Sequence, residues 1–560
     1  MSGSTDGTMK ERKLKNTTSI LRWLWQVAGH LRLQTMLNAL TGIITVGLDF
    51  SFIWTTKLCI DIATGRDDRS LRWASVLLIL IMAAQLLISL SRRWIAALLG
   101  VKARNQMQLR LFRRLLDNRW TGREERHTGD ILNRLIRDSN DVTNTIAETV
   151  PDALSVLTRF CGAFVFLHSM DSHLAYLLAL ILPVFLILSR FYVRKMRTIT
   201  RQIRDTESNV HSILQESILH RILLKTLERV ATMTDKLNDM QTTLCQQVRH
   251  RTVFSSFSGM LLNVGFASGY LVTFLWGANR LHDGSITYGM MLAFIQLVGQ
   301  IQGPFRDMTK FVPVIISAFT AAERLMELEE VPTEEQGTPV RFPQGAGLRI
   351  TDVSFRYDAT SRNVLSHFTY DFPPGSRTAI LGETGTGKTT LIRLVLALLH
   401  PTEGRVEMYA DGQVCPVSAL TRCNLIYVPQ ENTLFSGTIR DNLLLGRPDA
   451  TEAEMEEVLR TACADFVFTL PDGMDSRIGE GGTGLSQGQA QRVSLARALL
   501  RDGSIFLLDE ATSALDTETE AQLLQNLTQH IHPHQTLIFI THRQAVVEHC
   551  DSVLKMKTEH

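Results

Sequence analysis

Gly382-Glu383-Thr384-Gly385-Thr386-Gly387-Lys388-Thr389 matches the pattern G-x4-G-K-[ST] at every position. The strand-like run Thr378–Leu381 precedes it, and the apolar run Leu391–Leu399 follows it as a helix. Glycines let backbone N–H groups curl around phosphate oxygens, and a helix that starts directly after the loop aims its positive end at them. In such a loop Lys388 neutralises charge on the β- and γ-phosphates, and Thr389 offers its hydroxyl oxygen to Mg2+.

A second stretch reads consistently with the first. Ile505-Phe506-Leu507-Leu508 has the continuous apolar character of a strand buried in a parallel sheet, and it ends in Asp509-Glu510. The strand end places two carboxylates at the sheet rim. Asp509 is suited to holding Mg2+, directly or through water, and Glu510 to orienting or deprotonating an attacking water. Phosphoryl transfer asks mainly for positioning and charge stabilisation, which these groups supply.

A phosphate loop alone leaves kinases, GTPases and helicases open. Leu485-Ser486-Gln487-Gly488-Gln489 narrows the choice. Here the chain resembles the ATP-binding-cassette superfamily, whose signature is commonly LSGGQ. The likeness extends over Tyr357 ahead of the loop, Gln430 in Val-Pro-Gln-Glu-Asn, Ile478-Gly479-Glu480-Gly481-Gly482, Ser513-Ala514-Leu515-Asp516, and His542 in Ile-Thr-His-Arg. All occur in the family's order.

This resemblance implies roles. Tyr357 stacks on adenine. Gln430 senses Mg2+ and the attacking water, and His542 contacts the γ-phosphate. Gly382, Glu383, Thr384, Gly385, Thr386, Gly387, Lys388, Thr389 and Thr390 hold the nucleotide. Ser486 and Gly488 reach the γ-phosphate bound on a partner subunit, with Gln489 opening a helix behind them and Asp516 nearby. Glu510, His542 and Gln430 form the implied catalytic set; Thr389, Gln430 and Asp509 form the implied metal set. The expected cofactors are ATP and Mg2+. Gln487 departs from the usual glycine, but the four flanking residues keep the pattern, so function is expected to survive.

Upstream the composition changes. The chain has 560 residues, too many for one domain at roughly 100–200 residues each. A membrane helix needs about 20 mostly apolar residues to cross ~30 Å of hydrocarbon. Six stretches qualify: Leu33–Thr56, Trp73–Trp94, Pro151–Met170, Leu174–Tyr192, Val253–Trp276 and Tyr288–Pro304. Basic residues follow the second (Lys102, Arg104, Arg110, Arg113, Arg114, Arg119, Arg123, Arg126) and the fourth (Arg190, Arg194, Lys195, Arg197, Arg201, Arg204). Those segments are expected in the cytoplasm, and with them both chain ends. Between Pro183 and Gly259 there is neither Gly nor Pro, which predicts long continuous helices reaching beyond the membrane.

The expected fold is therefore multidomain. An all-α six-helix membrane domain with long cytoplasmic extensions precedes an α/β P-loop ATPase. The boundaries read as 1–32 for an N-terminal segment with an amphipathic interfacial helix, 33–328 for the membrane domain, 329–346 for a linker and 347–560 for the ATPase. Two cytoplasmic turns, around Arg126–Asp138 and Glu216–Thr226, are the expected contacts to ATPase domains.

Polar residues inside the spans include Asp49, Arg159, His168, Asn263, Gln296 and Gln300. A charge at bilayer depth costs at least ~2.5–3.5 kcal/mol on insertion scales. Asp49 is thus expected to line a translocation cavity or to pair with a neighbouring helix, and Arg159 to snorkel toward the inner surface. The net charge of +2 gives no argument for nucleic-acid binding. Seven cysteines without a CxxC pair indicate neither a zinc site nor a disulfide framework.

The resemblance is to exporter-type half transporters. It implies ATP-driven movement of an amphipathic lipid, drug or peptide across the inner (plasma) membrane. The expected partners are the bilayer, the substrate and a second half transporter, a homodimer being favoured and a heterodimer open. Import of a chelated metal on the same architecture is the alternative.

Overall fold

The computed structural model describes residues 17–120, 128–358, 361–383, 385–479 and 482–557. The chain divides into two compact units, Met1–Phe112 with Ile131–Leu328, and Arg113–Asp130 with Glu329–His560.

The first unit is a helical transmembrane domain. Among the described residues six long helices build it: Arg32–Ala63, Leu71–Asp117, Gly129–Met170, Ser172–Leu219, Val230–His282 and Tyr288–Glu329. Among the described residues, the first, second, third and fifth carry an apolar stretch long enough to cross a bilayer. The other two sequence-predicted spans lie within the fourth and sixth helices. The second helix buries only 11% of its apolar window, and Val76, Ile79, Leu86, Leu87 and Leu90 are exposed. A helix that is apolar on the outside has lipid as its natural surroundings. Lipid offers no hydrogen bonds, so hydroxyls must be satisfied internally. Along the first helix Thr45, Ser51, Thr55 and Thr56 each donate to the carbonyl four residues back.

The third and fourth helices are separated by Asp171 alone, whose backbone is extended. Its carboxylate accepts from Leu174 N–H at 3.1 Å, capping the fourth helix, and from Trp276 Nε1–H at 3.0 Å. The fourth helix runs unbroken to Leu219, as the absence of Gly and Pro leads one to expect.

Helix contacts decide the intramembrane charges. Asp49 Oδ2 accepts from Arg159 at 3.1 Å, and its Oδ1 accepts from Gln85 at 3.0 Å. Asp49 therefore ties three helices together. Arg159 reaches across to this carboxylate, and pairing is a cheaper solution than a charge alone in hydrocarbon. Nearer the first helix's start, Arg92 bonds Asp152 at 2.5 Å and Ser155 at 3.3 Å beside Gly42.

Ahead of these helices, Thr17–Val27 forms a short helix. Ile20 and Trp23 pack with Met107, Leu111, Ala322 and Leu325, while Leu21 and Trp25 are exposed. All seven cysteines are free.

The second unit is α/β. One antiparallel sheet has the order β2-β1-β4-β5, from β1 (Gly347–Phe355), β2 (Leu365–Phe372), β4 (Glu403–Ala410) and β5 (Gln413–Pro416). A parallel sheet has the order β11-β3-β10-β9-β6, from β3 (Arg377–Leu381), β6 (Leu425–Val428), β9 (Ile505–Asp509), β10 (Thr536–Ile540) and β11 (Ser552–Lys555). A two-residue ribbon pairs β7 (Gly437–Thr438) with β8 (Arg477–Ile478). Every residue of β10 and the first four of β9 are buried, which is why those runs carry no alternation.

The segment before β1 is fastened rather than loose. Arg422 grips Glu334 through two bonds of 2.8 and 2.9 Å. Arg119 N–H donates to Pro332 O at 2.8 Å, and Asn118 bridges Thr333. The segment Arg113–Asp130 thus belongs to the ATPase-bearing unit, although its sequence lies far upstream.

Candidate nucleotide site

Register builds the site. Ile540 pairs with both Ile380 and Asp509, and Leu508 pairs with Val428. The carboxyl ends of β3, β9, β10 and β6 are therefore level, and each runs directly into a motif. β3 leads to Gly382, β9 to Glu510, β10 to His542 and β6 to Gln430. The crevice outside the carboxyl ends of parallel strands is where α/β sheets bind ligands.

The loop after β3 turns at Gly385 and Gly387, with φ of 90° and 91°, a conformation that side chains rarely adopt. Gly387 leads straight into the helix Lys388–Val395. Lys388 Nζ donates to Gly382 O at 2.5 Å and lies 3.0 Å from His542 Nε2. Thr386 is buried and donates to Glu383 O at 2.9 Å. Thr389 is exposed, and Thr390 is buried behind it. Thr384 lies outside the described residues, as do Glu480 and Gly481. Tyr357, in the bend just beyond β1, is half-buried; its hydroxyl is 3.1 Å from Thr390 Oγ1, and its ring meets Phe355 edge-on.

Glu510 carries a φ of 48°, in the left-handed region. Its N–H is held by Ile540 O at 2.9 Å, and its carbonyl accepts from Gln491 Nε2 at 2.9 Å. These bonds hold an unfavourable backbone and aim the carboxylate off the strand. One carboxylate oxygen accepts from Gln430 Nε2 at 2.6 Å, and the other lies 3.2 Å from His542 Nε2. Lys388, His542, Glu510 and Gln430 thus form one continuous polar chain.

Asp509 is half-buried, and Tyr427 Oη donates to it at 3.4 Å. Burial and the neighbouring Glu510 charge push the Asp509 carboxyl up to about 6, opposed by Tyr427 and Lys388. Burial of Tyr427 pushes its phenol well above its ordinary range, and the neighbouring Asp509 charge adds to the rise.

The signature residues gather around another helix start. Ser486 caps the helix Gln487–Leu499: Gln489 N–H donates to Ser486 Oγ at 3.3 Å, and Ser486 N–H donates to Gln489 Oε1 at 2.9 Å. This reciprocal box satisfies two helix-end donors. A Cβ on Gly488 would stand 2.8 Å from Ala514 O, so a side chain there has no room. Gln487, at the first position of that helix, is exposed. Asp516 caps the next helix, Thr517–His530, accepting from Thr519 N–H at 2.9 Å.

Several contributors had no signal of their own in the sequence. Gln491 bonds Glu510 O and accepts from Ala514 N–H at 3.3 Å, joining the signature helix to the loop after β9. Tyr427, on β6, is marked only by its bond to Asp509, and Arg393, on the helix after the phosphate loop, only by its bond to Tyr357. Of the first expected coupling turn, around Arg126–Asp138, residues 126 and 127 lie outside the described residues, and a helix begins at Thr128. The other is a break at His220 followed by the short helix Arg221–Thr226, with Ile218, Leu219, Ile222 and Leu223 exposed.

Residues 35–305 match the family model for the ABC transporter transmembrane region, and residues 365–513 match that for ABC transporter. An ATP-dependent lipid A-core flippase of Pseudomonas fluorescens (strain Pf0-1) is 30% identical over 503 residues, spanning 88% of this chain and 82% of the relative. The ABC transporter ATP-binding protein YfiC of Bacillus subtilis (strain 168) is 26% identical over 559 residues, 99% of this chain and 92% of the relative. A solved bacterial Atm1-family ABC exporter with ATP bound shares the fold, with a TM-score of 0.78 at 21% identity over 95% of each chain. The chain belongs to the ABC transporters, as a multi-pass membrane domain of exporter fold fused to an ABC ATPase domain.

Proposed function

We propose that this chain is one half of a dimeric exporter that couples ATP hydrolysis to movement of an amphipathic substrate across the inner (plasma) membrane, with the ATPase on the cytoplasmic side. The observation that carries the reading is the chain of contacts Lys388–His542–Glu510–Gln430, a hydrolytic arrangement fused to lipid-exposed helices. Similarity to a lipid A-core flippase favours a lipid among the amphipathic classes.

ATP is read as lying on the loop Gly382–Thr390, with its adenine on Tyr357. Lys388 neutralises phosphate charge, and the helix behind it adds partial positive charge. Glu510 orients a water and takes its proton; Gln430 and His542 hold that carboxylate toward the γ-phosphate position. The donor set fits Mg2+. Asp509 and Glu510 are adjacent carboxylates at the rim of the parallel sheet, an oxygen donor pair that suits a hard divalent cation. Thr389, Gln430 and Asp509 would hold the ion, which when bound screens the charge that develops on the transferring phosphoryl group.

Ser486 and Gly488 are read as completing the site of a second subunit. ATP binding then closes two ATPase domains together, and a rigid-body change between inward- and outward-open states follows.

Purification in nanodiscs followed by mass spectrometry of co-purifying molecules tests the substrate class. Enrichment of an amphipathic lipid that also stimulates ATPase activity supports the proposal. Stimulation by a metal chelate alone, with accumulation toward the ATPase side, would replace export by import.

A further inference from the structure

Tyr357 is held by more than the bend after β1 that carries it. Its hydroxyl lies 3.1 Å from Thr390 Oγ1 and accepts from Arg393 Nη1 at 3.3 Å. The Arg393 guanidinium in turn sits over the Trp120 ring, 4.6 Å from its centroid. Trp120 and Tyr357 pack on one apolar cluster, the one that contains Phe355 and Leu391.

Trp120 is not part of the ATPase sequence. It follows the second long helix directly, and the bridge between Asn118 and Thr333 and the bond from Arg119 N–H to Pro332 O fix its backbone. The order of contact is thus Trp120, Arg393, Tyr357, Thr390. Each link suits its partner. A guanidinium is planar, weakly hydrated and stacks on indole while its edge N–H groups remain free to donate. A tyrosine ring anchored at its hydroxyl loses the freedom to swing about its Cα–Cβ and Cβ–Cγ bonds. A ring fixed before the base arrives binds with less ordering cost than one that must be fixed on arrival.

We infer that Trp120 and Arg393 are positioning residues for base recognition: Trp120 seats the Arg393 guanidinium, and Arg393 holds the Tyr357 ring in the plane that receives adenine. This rests on the reading of Tyr357 as the adenine-stacking residue. Neither residue touches the nucleotide; both act through Tyr357. Their effect therefore falls on the base and not on the phosphates.

That separation supplies the test. Full-length protein in nanodiscs is loaded with a fluorescent trinitrophenyl-ATP, and ATP or inorganic tripolyphosphate is titrated as competitor. Tyr357→Ala serves as control, and Trp120→Ala, Trp120→Phe and Arg393→Gln are the test variants. Trp120→Ala and Arg393→Gln are expected to weaken ATP about fivefold, the scale of a cation–π contact, and to leave tripolyphosphate within about twofold of wild type. Trp120→Phe retains an aromatic face and is expected to restore most of the ATP affinity. A purely structural defect would weaken both competitors alike and would not be rescued by phenylalanine. If Trp120→Ala does not yield folded protein, Arg393→Gln carries the same ratio measurement. An unchanged ATP-to-tripolyphosphate ratio in Arg393→Gln, with a changed ratio in Tyr357→Ala, overturns the inference and leaves the Tyr357 reading intact. An unchanged ratio in Tyr357→Ala overturns both.

Discussion

Glu510 illustrates how much a single residue is asked to tolerate. A non-glycine residue at a φ of 48° costs on the order of 1–3 kcal/mol, and such strain survives only where neighbours over-determine it. Here Ile540 O, Gln491 Nε2, Gln430 Nε2 and His542 Nε2 surround it. Strand β9 could have ended with less strain, but its carboxylate would not then point from the sheet rim into the ring of Lys388 and His542. Glu510→Gln keeps the backbone and the shape while removing the base. ATP turnover of the purified variant is expected to fall roughly 10²–10⁴-fold, with ATP binding within a few-fold of wild type. Unchanged turnover would remove Glu510 from the catalytic role.

At the scale of elements, close approach between helices is limited by small residues. A Cβ added to Gly42 would stand 2.0 Å from Ser155 Oγ and 3.0 Å from an Arg92 nitrogen. Ser155 and Arg92 belong to the third and second helices, and Gly42 leaves the space in which they meet. Gly42→Ala is expected to lower stability by roughly 1–3 kcal/mol, the usual scale of overpacking. It should lower the melting temperature in detergent, and Ser155→Ala in the same chain should recover part of the loss, as coupled neighbours do. Strict additivity of the two would show that the clash is absent.

The elements themselves were largely legible. Apolar length marked the helices, and continuous apolar runs marked β9 and β10, because burial on both faces leaves no alternation to misread. Asp49 shows where legibility stopped. Hydropathy finds a costly charge, but its partners Gln85 and Arg159 lie on other helices, and no local pattern encodes that meeting. The same holds for Trp120. Its segment reads as the basic end of a membrane helix, yet it belongs to the ATPase-bearing unit through backbone pairing with Pro332 and Thr333. The phosphate loop, Asp509, Glu510, Gln430 and His542 could be picked out as candidates because each lies at or just after the carboxyl end of a strand. Gln491, Tyr427 and Arg393 could not, since their importance comes from what the fold sets against them.

At the scale of the whole molecule, the proposal requires two chains per functional unit. Ser486 is read as serving nucleotide on a partner. Lys388→Ala and Ser486→Ala subunits should therefore each be inactive as homodimers. Co-assembled, they bring together one site with both defects and one with neither. ATPase activity is expected to reappear in the isolated mixed dimer, at about half of wild type if the two symmetric sites hydrolyse independently. A mixture no more active than its parents would place each site within a single chain or make the two sites obligately coupled.

Coupling of hydrolysis to substrate movement is the central claim, and it can be measured directly. Full-length protein would be reconstituted into liposomes carrying a fluorescent lipid, and movement between leaflets would be followed by dithionite quenching with Mg2+ and ATP outside. Wild type is predicted to move the lipid only with hydrolysable ATP, and Glu510→Gln is predicted to reduce the rate to the protein-free background. Lipid movement that proceeds equally without ATP, or equally in Glu510→Gln, would contradict the account.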